Sequence, residues 1–94
     1  MLLVHIILTN VILEIKVDKY IRKLGEPNKT RIVKAISKLE KEPPIGDIEQ
    51  MAGATKRFRL RVGKYRILFG ILDETIRVYD IGLRGQIYKH GGKS

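Results

Sequence analysis

KRFRLRVGKYRILFG, residues 56–70, holds two strands and the turn that joins them. Read at period two, Arg57, Arg59 and Arg61 point to one side while Phe58, Leu60 and Val62 point to the other, the alternation of a strand with one apolar face. Gly63 and Lys64 make a two-residue turn, and YRILFGIL (65–72) is the returning strand. Asp73 and Glu74 form the next turn, and TIRVYDI (75–81) is a third strand. Strands this close in sequence pair as an antiparallel meander.

Upstream the period lengthens. EPNKTRIVKAISKLEKEPP reads as a helix opened by Pro27 or Asn28 and stopped by Pro43 and Pro44, with Ile32, Ala35, Ile36 and Leu39 at helical spacing. VILEIKV (11–17) reads as a strand. Asp18 then caps a short helix carrying Tyr20, Ile21 and Leu24 on one face, and Gly25 closes it. IGDIEQMAGAT (45–55) is a loop by composition. The expected class is α+β in the order β-α-α-β-β-β. An N-terminal strand precedes an αα-hairpin, which covers the apolar face of a mainly antiparallel sheet of about four strands. The other face of that sheet is expected to meet water or a ligand.

The 94 residues suit a single domain. MLLVHIIL at the start lacks a basic leader and a small-residue cleavage site. Residues 1–10 therefore read as an N-terminal extension or an extra strand rather than a signal peptide, with His5 packed. No apolar run reaches the roughly 18–20 residues of a membrane span. Cysteine is absent, which removes disulfides and fits a reducing compartment, so a cytoplasmic protein is expected.

Charge is the strongest bulk signal. The net charge is +9, and residues 55–94 hold ten basic against three acidic groups, where residues 1–54 hold nine against seven. Such asymmetry points to a polyanion partner. Alternate arginines of one strand stand about 7 Å apart. Arg66 and Arg77 join them from the neighbouring strands. With Asp73, Glu74 and Asp80 as the nearby acids, most of these guanidiniums are expected to face solvent or an anion, and their forks suit phosphate. The chain shows no P-loop, no metal-ligand spacing, no nucleophile elbow and no Cys-His pair, so no metal or cofactor is expected. Were the polyanion RNA, its 2′-OH would supply the nucleophile. Arginines would stabilise the phosphorane, and Tyr88, Lys64 or His90 would help with protons. His90 itself reads as part of a mobile Gly-rich tail.

RLRVGKYRILF and the terminal IG-x-R-x-x-IY, with DKYIRKL and AISKLEKEPPIGDIEQMAG, resemble the RelE/ParE superfamily of toxins from toxin–antitoxin modules over about residues 11–90, and the RelE branch in particular. The resemblance implies a ribosome-dependent, metal-independent endoribonuclease. It would cut mRNA in the A site by 2′-OH attack and so inhibit translation. It assigns Arg59 to a proposed base position, Arg66 to phosphate stabilisation, Arg84 to the proposed general acid and Tyr88 to base stacking. Arg57, Arg61, Lys64 and Arg77 are expected to hold RNA phosphates. Arginine at 57 and 59, where some relatives carry lysine, weakens a general-base role there. An acidic RelB-type antitoxin, the ribosome and mRNA are the implied partners. The alternatives are a ParE-type inhibitor of DNA gyrase and a catalytically decayed module that binds RNA or antitoxin.

Overall fold

The structure is a computed structural model that describes residues 7–8, 10–53 and 55–90. Its elements are β1 (Ile7–Leu8), β2 (Val11–Leu13), α1 (Ile15–Arg22), α2 (Asn28–Ser37) with a 3-10 turn at Lys38–Glu40, β3 (Ile48–Gln50), β4 (Arg57–Val62), β5 (Tyr65–Leu72), β6 (Thr75–Leu83) and α3 (Arg84–His90). The strands form one sheet in the order β1-β2-β6-β5-β4-β3. Only β2 and β6 run parallel among these pairs. A parallel pair needs a long crossover, and the helix pair lies in the stretch between them.

The α+β class and the β-α-α-β-β-β core are as expected, but among the described residues the sheet has six strands rather than about four. The added β3 falls inside the segment read as a loop. Three residues are too few to display an alternation, yet they pair with β4 in register, Glu49 opposite Arg59 and Gln50 opposite Phe58. The added β1 pairs antiparallel with β2. His5, with the rest of residues 1–6, lies outside the described residues.

The first helix also begins earlier than the sequence suggests. β2 ends at Leu13, and α1 takes over at Ile15 because Val17 and Ile21, four apart, are the buried pair. Asp18 is therefore not a cap. It is buried inside α1 and accepts a 2.8 Å hydrogen bond from Arg22 Nε one turn on. α2 opens at Asn28 behind Pro27 and buries Ile32 and Ile36.

The helices pack on the face that carries Leu60, Ile67, Phe69, Val78 and Ile81. Phe58 and Phe69, cross-strand partners, stack with centroids 5.5 Å apart. The opposite face is not open. Residues 65–69 of β5 are all buried. Leu68, in register between Arg59 and Asp80, is wholly inaccessible without belonging to the main core. The terminal stretch read as a tail is α3, with His90 as its last residue. α3 settles against β6 over Gly82 and buries Ile87, whose Cδ1 would stand in ordinary contact, 3.5 Å, with a Cβ there. The continuous apolar run of YRILFGIL is the signature of this two-sided burial.

Leu68→Ala is expected to cost about 2–5 kcal/mol in urea unfolding, the range for a truncated core leucine. A loss below about 0.5 kcal/mol, the surface range, would mean that this face is solvated after all.

Candidate functional site

Register sets the site. The turn at Gly63-Lys64, with Gly63 at φ +58°, brings β5 back so that Arg66 pairs with Arg61 on one side and Gly82 on the other. Two like charges directly across a ladder repel. Each therefore has its own neutral or acidic partner. Arg61 Nε donates to Asp47 Oδ2 at 2.7 Å. Arg66 is only 7% exposed, and its Nη1 donates to the carbonyls of Gly63 and Tyr65, both at 2.9 Å. This clamps the guanidinium to its own hairpin through Nη1, and among the described residues Nε and Nη2 have no further acceptor.

Arg84 opens α3, and its backbone N–H donates to the carbonyl of Lys64 at 3.0 Å, which ties the end of β6 to the β4–β5 turn. Its side chain is exposed and makes no ion pair among the described residues. Arg59 pairs with Glu49 across β3 and β4. Arg59, Arg61, Arg66 and Arg84, with Asp47 and Glu49, line one recess of about 280 Å³. Four guanidiniums face two carboxylates there, so the recess keeps a positive excess. Exposed ion pairs such as Arg61–Asp47 are worth about 0.2–1 kcal/mol, weak enough for a phosphate to displace.

Arg57, Arg77 and Lys64 lie elsewhere. The Arg57 guanidinium lies over the Tyr79 ring, 5.8 Å from its centroid, and Arg77 pairs with Glu14 at 2.5 Å. Both line a second, larger recess on the same face. Lys64 turns toward α2 and lines a recess with Asn28, Arg31 and Tyr65. Tyr88 sits on α3, but its side chain, like that of His90, lies outside the described residues.

The acids that meet these arginines are not the ones the sequence singled out. Asp73 and Glu74 occupy the β5–β6 turn, both at positive φ, at the far end of the hairpin from Arg66. Asp80 is buried, accepts from the backbone of Ile81 and stands 3.7 Å from Lys16. Asp47, Glu49 and Glu14 are the actual partners. One signal pointed to two of them: Asp47 and Glu49 are spaced two apart, the mirror of Arg61 and Arg59. Among the described residues no cluster of histidines and acids could hold a metal ion, and no helix is long and apolar enough to cross a membrane.

Tyr79 lies beside Arg57 on this face. Burial pushes its phenol above the usual range, the Arg57 guanidinium opposes that rise, and Asp80 adds to it.

Residues 15–88 match the family model described as the ParE toxin of type II toxin–antitoxin systems, parDE. No curated protein matches the chain. Among solved structures, the fold is similar to the archaeal RelE–RelB complex from Pyrococcus horikoshii OT3, at 24% identity and a TM-score of 0.70 over 82% of this chain and 96% of that one. It is also similar to the RelB–RelE antitoxin–toxin complex from Methanococcus jannaschii, at 22% identity and a TM-score of 0.70 over 84% and 96%.

Glu49→Gln removes one of the two carboxylates from the recess. It should elute later from immobilised heparin, with unfolding stability changed by no more than about 1 kcal/mol. Unchanged elution would mean that the carboxylate does not shield Arg59. In Arg57→Ala the charge that holds the Tyr79 phenol down is gone, so its titration, followed by NMR, should move to higher pH. A fall would contradict the placement of Arg57 over the ring.

Proposed function

We propose that this chain, which belongs to the ParE toxin family of type II toxin–antitoxin systems, is a ribosome-dependent endoribonuclease that cuts mRNA by attack of its own 2′-OH. The observation that carries this reading is the recess in which Arg59, Arg61, Arg66 and Arg84 converge. In the reaction the 2′-oxygen bonds to the adjacent phosphorus, the P–O5′ bond breaks, and a cyclic phosphate and a 5′-OH result. The 2′ proton goes to a base and the departing 5′-oxygen receives a proton.

Negative charge gathers on the phosphorane, and fixed cations in a partly enclosed site stabilise it without reorganising, usually the largest catalytic term. Arg66 suits that role because its guanidinium is buried and clamped by two main-chain carbonyls. Arg84 is exposed at the mouth and suits contact with the leaving side. Arg59 makes a poor base, since a guanidinium stays protonated to pH above about 12. Among the side chains lining the recess the proton acceptors are Asp47 and Glu49, and Glu49 is the more exposed of the two. The ribosome would supply the in-line geometry of the message.

An acidic antitoxin is the partner this basic surface calls for, with strong electrostatic steering. The two similar solved structures are themselves toxin–antitoxin complexes, which supports that expectation.

Programmed ribosomes with a defined A-site codon test the activity. Wild-type protein should cleave the message, Arg66→Ala and Arg84→Ala should each lose about 100-fold or more, and Glu49→Gln should cut more slowly while binding at least as tightly. Intact message at high protein concentration, or wild-type cutting by Arg66→Ala, would defeat the proposal. The match to the ParE model favours a second reading, inhibition of DNA gyrase without RNA chemistry. Loss of supercoiling activity upon addition of the protein, with mRNA left intact, would select it.

A further inference from the structure

The second recess on the arginine face, about 590 Å³, has a construction of its own. Arg57, Gly70 and Arg77 lie in one row across β4, β5 and β6. The missing side chain at Gly70, on the central strand, leaves a floor of bare main chain between two guanidiniums. Glycine inside a strand weakens it and marks a place where something approaches the backbone closely. A Cβ there would stand 3.4 Å from the Lys56 carbonyl, so the floor is tight but not impossible for a side chain.

Beside that floor the ladder between β5 and β6 slips at Leu68/Phe69, pairing Leu68 with Asp80 but Phe69 with Val78. The slip leaves Tyr79 as the extra residue. Bulges re-aim side chains, and this one brings Tyr79 alongside Arg57, with its hydroxyl 3.9 Å from Met51 Sδ. Lys16 and Lys56 add positive charge to the lining, while Glu14, paired with Arg77, offsets part of it. Leu72, 65% exposed, adds an apolar edge.

We propose that this recess is a second nucleotide subsite for single-stranded RNA: one base lies over Gly70 against Tyr79, and its phosphate sits on Arg57 and Lys56. The inference rests on the reading of the guanidinium recess as an RNA site and extends it. Arg57 and Arg59 are alternate residues of β4, about 7 Å apart, so a strand leaving the cleft at Arg59 passes directly into the second recess. A flat glycine floor with an aromatic wall and surrounding cations suits an unpaired base, since stacking needs a free π-face and the cations follow the backbone. An acidic peptide would use the cations and leave the floor and ring without a role.

The test uses the intact protein and an uncleavable 2′-O-methyl hexanucleotide carrying 2-aminopurine at each position in turn. One position beyond the cleft should be quenched on binding to wild type. Tyr79→Ala should abolish that quench and weaken hexanucleotide binding by about fivefold or more, while a dinucleotide binds unchanged. Tyr79→Phe should restore both, and Lys56→Ala should lower the salt dependence of hexanucleotide binding by about 0.7 in log–log slope. If wild type binds the hexanucleotide but Tyr79→Ala, Gly70→Val and Lys56→Ala bind it equally well with the quench intact, the second subsite does not exist and the cleft stands alone. An acidic peptide that displaces the hexanucleotide, with no quenched position, would assign the recess to protein instead. Failure of wild type to bind any oligonucleotide would overturn the RNA reading of the cleft as well.

Discussion

The register of β5 between β4 and β6 is the constraint on which the rest of this molecule depends. One residue of slip would exchange the faces of the strand. Ile67 and Phe69 would leave the core, and Arg66 would be driven into it. The pairings hold the strand in place from both ends, by the Gly63 turn at one and the Asp73-Glu74 turn at the other. Burial on both faces adds to the penalty for slippage, because Leu68 would be exchanged along with its neighbours. A single hairpin therefore determines both where the apolar core lies and where the guanidiniums meet.

Concentrating so much positive charge on one face has a cost, and the fold meets it locally. Glu49 on the edge strand β3 meets Arg59, Asp47 just before that strand meets Arg61, and Glu14 meets Arg77. Arg66 is handled differently, by main-chain carbonyls rather than a carboxylate. The difference matters for function. On the proposed phosphate reading, a carboxylate partner is an anion that the phosphate would displace, whereas carbonyl acceptors fix the guanidinium without cancelling its charge. Arg66 is accordingly the fixed cation of the recess, and Arg59 and Arg61 are the adjustable ones.

Much of the fold was legible because long, strongly patterned segments carried it. The alternation of RFRLRV, the helical spacing of Ile32, Ala35, Ile36 and Leu39, and the glycine turn each point to one local structure. What escaped were the short elements. β3 is three residues long, α3 contains a glycine and one buried isoleucine, and α1 shares its first residues with a segment rich in β-branched side chains that also suits a strand. Their identities are decided by tertiary contacts: β4 pairing for β3, burial of Ile87 against β6 for α3, and burial of Val17 with Ile21 for α1. The site followed the same division. Arg59, Arg61 and Arg66, on the face that alternation and the turn give them, line one recess, and Arg84, which only the resemblance singled out, lines it with them. Lys64 turns away, and Arg57 and Arg77 fall in a different recess, because a sheet row two residues along is already a different neighbourhood. Glu49 was missed because its strand was missed.

The central claim is that four guanidiniums act together as one phosphate-holding site. Arginine Nε–H resonances, followed in ¹⁵N-labelled protein during titration with an uncleavable 2′-O-methyl dinucleotide, test it most directly. Arg59, Arg61, Arg66 and Arg84 should shift along a single binding curve while Arg22 and Arg31, on the helices, stay still. Shifts that follow separate midpoints, or that spread evenly over every arginine of the chain, would contradict it.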